Sequence, residues 1–161
     1  MSIIAIRHGL SEANNRENYG TPAFDNPDSP LMPAGREQAI KLGGRLVDML
    51  NIQLINEPVA VSTMRRSQET ALLAGFRQLT AYPELNEEKG GLSDVEIAEA
   101  LKMRRPPEAT RNAARHLIQN PPTERIWVTH ALLIAALCQE LGVYQDERFT
   151  PKFCEIRELP I

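Results

Sequence analysis

Cysteine, histidine and long apolar runs are all scarce in this chain of 161 residues, and each scarcity removes a class of protein. The two cysteines, Cys138 and Cys154, stand outside any Cys-x-x-Cys pair. Neither a disulfide framework nor a zinc knuckle is therefore expected, and both thiols are assigned to core packing. Neither has an arginine six positions on, which removes the phosphate loop of cysteine-dependent phosphatases. The Gly-x-x-x-x-Gly-Lys phosphate loop and the Gly-x-Ser-x-Gly nucleophile elbow are missing as well. No stretch approaches the ~20 apolar residues of a membrane span, and the first residues lack the apolar segment of a secretory leader. The expectation is a cytoplasmic chain with no membrane partner. A net charge of −3, from 18 basic and 21 acidic residues, argues against nucleic acid as a partner held by bulk attraction. A local cationic pocket stays open, since 14 of the 18 basic residues are arginine, whose fixed fork of donors suits oxyanions.

The length fits one domain, residues 1–161. Residues 2–6 form an Ile-rich run that stops at Arg7-His8-Gly9, as a buried strand ending in a turn does. Residues 18–33 are rich in Pro and Gly and read as a long loop of the kind that carries function. Residues 34–50 show the helical period, with Gly43-Gly44 allowing close approach. A second strand is predicted over 58–61, followed by a helix capped by Ser62 and running to about Phe76. A third strand is predicted over 79–82. Ser93-x-x-Glu96 is a capping box opening a helix to about Arg104, and Pro106-Pro107 starts another through Ile118. A buried strand over 125–129, an apolar helix over 131–141 stopped by Gly142, and a last strand over 152–159 complete the chain. This alternation predicts an α/β fold, a three-layer α/β/α sandwich with a mostly parallel central sheet whose ligands bind beyond the carboxyl ends of the strands. Residues 92–122 are expected to supply a small cap.

Two of the three histidines, His8 and His130, follow short apolar strands, so a parallel sheet would bring them together. His116 lies in a helix with no motif around it and is assigned a solvated or packing role. A neutral imidazole is a competent nucleophile toward phosphorus and gives a phosphohistidine that water can cleave. A phosphoryl group in transfer spreads negative charge over three oxygens and needs cationic or N–H donors around it. Arg7 and an arginine of the Arg65-Arg66 pair can supply them, helped by the N-terminus of a helix. A glutamate can protonate the leaving oxygen and then deprotonate the attacking water.

These residues resemble a known family. Arg7-His8-Gly9-Leu10-Ser11-Glu12-Ala13-Asn14 is similar to the RHGxSxxN signature of the histidine phosphatase superfamily, which includes the cofactor-dependent phosphoglycerate mutases. Residues 62–71, STMRRSQETA, resemble its S-x-L-x-R-A-x-x-T-A stretch, and residues 31–39 its LTxxGxxQA stretch. Leu85-Asn86-Glu87 is similar to the segment carrying the proton donor, and residues 126–130 to the strand that ends in the second catalytic histidine. The resemblance implies a phosphoglycerate mutase-like fold in which His8 is phosphorylated while Arg7, Arg66, His130 and Asn14 touch the phosphate. It further implies Glu87 as the acid, with Glu84 and Glu88 close enough to exchange places with it, and Ser11, Arg16 and Tyr19 on the substrate side. Departures from the pattern are Leu10 for an acidic residue, Met32 for a helix-capping Thr, Ala131 for the Gly that usually follows the second histidine, and an atypical segment after Glu87. The expected function is a phosphatase with no metal and no cofactor, acting on a small phosphorylated substrate or a phosphoprotein, with oligomeric state left open. The alternatives are a phosphoglycerate mutase-type phosphotransferase, a protein phosphohistidine phosphatase, and a phosphate-binding regulatory protein without turnover.

Overall fold

The computed structural model describes every residue except Met1, Asp25, Asp146 and Glu147. In chain order its regular elements are β1 (Ser2–Arg7), α1 (Pro33–Leu50), β2 (Pro58–Val61), α2 (Arg65–Ala74), β3 (Gln78–Ala81), α3 (Asp94–Lys102), α4 (Glu108–Gln119), β4 (Ile126–Thr129), α5 (Ala131–Leu141) and β5 (Ile156–Pro160). Successive residues of a strand point to opposite faces of its sheet, and here both faces are apolar. Ile4, Ile6, Val59, Val61, Ile126 and Val128 pack on α1 and α2 through Leu42, Leu46 and Ala71. Ile3, Ala5, Ala60 and Trp127 pack on α4 and α5 through Ala114, Leu117, Leu133 and Leu137. The α/β/α layering expected from the sequence is the architecture found.

The strand order is β3-β2-β4-β1-β5. The first four are mutually parallel, with Arg7 level with Thr129 and Val61 level with Val128, so the carboxyl ends of β1, β2 and β4 meet at one edge. β5 runs antiparallel along β1. It thereby returns the preceding residues to that same edge, where Cys154 N donates to Arg7 O at 3.0 Å.

Several local expectations change. Ser62 is not the cap of α2: the helix begins at Arg65 and its N-cap is Met64, two residues beyond Ser62, whose hydroxyl instead meets Met64 N, Ser67 and His130. The last strand starts at Ile156 rather than at 152, since Glu155 N donates to Lys152 O at 3.0 Å in a turn where Cys154 has φ of 55°. Of the Gly43-Gly44 pair only Gly43 mediates close approach: a Cβ there would lie 2.1 Å from Ala74 O, while one on Gly44 meets nothing within 4 Å. Within residues 92–122, α4 belongs to the helix layer, tied to α5 by ion pairs of Arg111 and Arg115 with Glu140 at 2.8 and 2.9 Å. That leaves α3 as the element outside the layer. Its capping box is formed: Glu96 N donates to Ser93 Oγ at 3.3 Å, and Ser93 N donates to Glu96 Oε2 at 2.8 Å.

Candidate active site

Where β1 ends, His8 N donates to Thr129 O at 3.0 Å, carrying the parallel pairing one step beyond the strand. His8 and His130 are thus side by side, with ring centroids 5.1 Å apart, edge to face. The chain then turns beneath the start of α1, a passage open only to glycine. A Cβ on Gly9 would lie 2.7 Å from Gly35 O, and one on Gly35 would lie 2.0 Å from Leu10 O. Thr70 on α2 accepts from Gly9 N at 3.0 Å and donates to Arg66 O at 2.7 Å. The turn after His8 is therefore tied to the helix that carries the second arginine.

The tautomer of His8 follows from its partner. His8 Nδ1 lies 2.7 Å from Gly9 O, and a carbonyl oxygen can only accept, so Nδ1 bears the proton and Nε2 keeps its lone pair. Burial, then the charges of Arg66 and Arg7, hold the pKa of His8 well below the ordinary histidine value, against the pull of the Gly9 hydrogen bond. The ring is neutral at pH 7.

Two arginines flank it. Arg7 donates to Pro151 O at 2.8 Å and stacks 3.8 Å over the ring of Phe153, and its buried Nε has no hydrogen-bond partner among the described residues. Burial lowers its pKa to about 10, with the charge of Glu87 opposing the shift, so it stays cationic. Arg66 is 1 % exposed and donates to Asn26 O at 3.3 Å. Its neighbour Arg65 points the other way, an exposed side chain paired with Glu69 at 2.6 Å, as the ~100° turn per residue of a helix dictates.

His130, at the N-cap of α5, has no exposed surface. Its Nε2 lies 2.8 Å from Ser62 Oγ, and its buried Nδ1 has no partner among the described residues. Burial, then His8, Arg66 and Arg7, keep its pKa well below the ordinary value. Glu87 is half-buried, and its Oε1 accepts from Leu132 N at 2.9 Å. Desolvation raises its pKa, outweighing the Leu132 hydrogen bond and the charges of Lys89, Arg66 and Arg7. Glu84 and Glu88 are exposed. Thr129 Oγ1 donates to Leu85 O at 2.6 Å, which joins the segment carrying Glu87 to the end of β4.

The remaining candidates lie to one side. Ser11 is fully buried and donates to Asn14 Oδ1 at 2.6 Å. Asn14, Arg16, Tyr19 and Phe24 face Ile97 and Leu101 of α3 across a groove of about 630 Å³. Tyr19 stands edge to face on Phe24 at 5.1 Å. His116 lines a separate pocket near Pro121 and Pro122.

Three residues not singled out for the site belong to it. Ser62 holds His130, Thr70 holds Gly9, and Phe153 touches both Arg7 and His8, its centroid 6.1 Å from the His8 ring. Ser62 stands just past the end of β2, where a hydroxyl is a usable signal, whereas Thr70 lies within α2 and carries no strand-end signal. Phe153 has no such signal, because only the antiparallel return into β5 brings it there.

A family model for the histidine phosphatase superfamily (branch 1) matches residues 3–116. No individually curated protein matches the sequence. Among solved structures, the TTHB049 protein of Thermus thermophilus is 24 % identical and superposes with a TM-score of 0.68 over 98 % of this chain and 92 % of its own. Mycobacterial hydrolase 1 is 21 % identical with a TM-score of 0.63, covering 98 % of this chain and 90 % of the other. The product of the open reading frame Rv3214 from Mycobacterium tuberculosis is 20 % identical with a TM-score of 0.65, covering 99 % and 91 %. These likenesses are of fold.

Proposed function

The chain belongs to the histidine phosphatase superfamily, and we propose that it hydrolyses a phosphomonoester through a phosphohistidine on His8. The observation that carries this is the state of His8: buried, neutral, its proton held by Gly9 O and its Nε2 lone pair left for phosphorus. In the first step Nε2 attacks in line, an N–P bond forms and the bond to the leaving oxygen breaks. Glu87 gives that oxygen its proton, a role its raised pKa supports. Arg7, Arg66 and His130 carry the charge that spreads over the equatorial oxygens. The buried Nε of Arg7 and Nδ1 of His130, both without protein partners among the described residues, are suited to it. In the second step Glu87 takes a proton from water, the hydroxide oxygen bonds to phosphorus, and the N–P electron pair returns to His8 as phosphate departs.

Water is the acceptor in preference to a second substrate hydroxyl, which a mutase requires. α3, nine residues long, is the element that flanks the neighbouring groove, and so small a cover gives little means of retaining an intermediate. The open groove suits a small phosphorylated molecule with an extended leaving group. Release of p-nitrophenol from p-nitrophenyl phosphate in excess chelator tests the proposal. Turnover by the wild type and its loss in a folded His8→Ala protein are expected, and a His8→Ala protein with wild-type turnover contradicts it.

A further inference from the structure

Three buried side chains form a line of hydrogen bonds that ends at the site. Ser67 Oγ lies 2.8 Å from Ser62 Oγ, and Ser62 Oγ lies 2.8 Å from His130 Nε2. None of the three has exposed surface. Heavy-atom positions do not fix which way the protons point along such a line, but a count of donors and acceptors does. Among the described residues the Ser67 hydroxyl has Ser62 Oγ as its one partner, so its buried proton has a single acceptor. Ser62 Oγ has two lone pairs. Met64 N–H takes one at 3.3 Å and the Ser67 hydroxyl takes the other, which leaves Ser62 only its own proton to offer to His130. Reversing the line would strand the Ser67 proton in the interior without an acceptor, the costlier arrangement.

We infer that Ser62, directed by Ser67, is a positioning residue that holds His130 as its Nδ1–H tautomer, so that an uncharged ring presents an N–H donor to the phosphoryl group. The identity of the anion rests on the phosphatase proposal above; the tautomer does not. The alternative source of a donor, a protonated His130, is opposed by burial and by His8, Arg66 and Arg7. The hydroxyl line supplies the donor without adding a charge to a pocket that holds two arginines. It also makes the two rings complementary. His8, with its proton on Nδ1 toward Gly9 O, offers a lone pair, and His130 offers a proton from the nitrogen that has no protein partner among the described residues.

The test is a long-range 1H–15N correlation spectrum of the full-length protein labelled with 15N-histidine at neutral pH, His130 being assigned by the signals lost in His130→Gln. In the wild type, His130 Nδ1 is expected in the protonated range and Nε2 in the unprotonated range. Ser62→Ala should release the fixed tautomer and weaken orthovanadate binding at least about fivefold, the worth of one ordinary hydrogen bond, while the His8 signals keep their pattern. Ser62→Thr, which restores the hydroxyl, should restore both. A wild-type His130 protonated on Nε2 overturns the inference, as does a Ser62→Ala protein that keeps the Nδ1–H form and wild-type vanadate affinity. A wild type with the expected tautomer but no affinity for vanadate overturns the phosphatase proposal and leaves the positioning of His130 standing.

Discussion

His8, Arg66 and Glu87 each owe their chemistry to a neighbour, and each can be tested through it. The two adjacent arginines make the sharpest contrast. Arg66 is buried and donates to Asn26 O, while Arg65 is exposed and paired with Glu69. Arg66→Ala should cost about 2 kcal/mol or more of transition-state stabilisation, roughly thirtyfold in kcat/KM, as the loss of a charge-assisted donor in a desolvated site does. Arg65→Ala should stay within about threefold, since exposed ion pairs contribute little; steady-state kinetics of the two variants decides the order. The shifts at His8 and Glu87 have opposite signs and both favour acidic pH. His8, lowered, stays unprotonated to well below the ordinary histidine value, while Glu87, raised, keeps its proton above the ordinary carboxyl value. Turnover of an alkyl phosphate should therefore fall as pH rises through the Glu87 pKa, and Glu87→Gln should remove that dependence. The same variant should damage alkyl phosphate hydrolysis far more than phosphoenzyme formation from p-nitrophenyl phosphate, whose phenolate leaves without a proton. Equal losses on both substrates would mean that another group is the acid. At this scale the sequence is legible where a residue's place follows from a strand end, as for His8 and His130. Ser62 reads as a cap because it is a hydroxyl just ahead of a helical stretch, but α2 starts at Arg65, and the partner that gives Ser62 its place in the site, His130, comes from a segment distant in sequence.

Contacts between elements are set by where side chains are missing. Gly43 on α1 lets Ala74 O of α2 approach to a point where a Cβ would be 2.1 Å away, and that oxygen is backbone, which cannot swing aside. Gly43→Ala should therefore destabilise the protein by about 1–3 kcal/mol, the usual range for overpacking. Gly44→Ala meets nothing within 4 Å and should stabilise by about 0.5–1 kcal/mol through helix propensity. Urea denaturation of the pair gives opposite shifts in midpoint if the α1 to α2 contact is as described, and equal shifts if it is not. The glycine pair is visible in the sequence, but which member faces α2 depends on helix rotation. The element boundaries divide the same way. The capping box of α3 and the Gly142 stop of α5, with φ of 68°, are local signals and fall where the spacing puts them. The start of β5 is set by a turn in which Glu155 N bonds Lys152 O, with no periodic signature. The place of α4 depends on pairing with Glu140 of α5, a contact between separate helices that no local pattern encodes.

Across the whole molecule, a phosphoglycerate mutase-like α/β fold collects residues from five separated segments at one sheet edge. Parallel pairing of β1 with β4 sets His8 beside His130, and α2 following β2 brings Arg66 over them. The link from Thr129 to Leu85 draws in Glu87, and β5, turning back along β1, adds Phe153. Alternating strands and helices announce this sheet in the sequence, whereas the antiparallel edge strand and its aromatic contribution are tertiary facts. Among the described residues no helix is long and apolar enough to cross a membrane. The central claim is covalent chemistry at His8, and rapid quench during turnover of a 32P-labelled phosphomonoester examines it most directly. The account predicts acid-labile, base-stable label on a single peptide containing His8, absent from His8→Ala and longer-lived in Glu87→Gln. Turnover with no label on His8 in either the wild type or Glu87→Gln would contradict it.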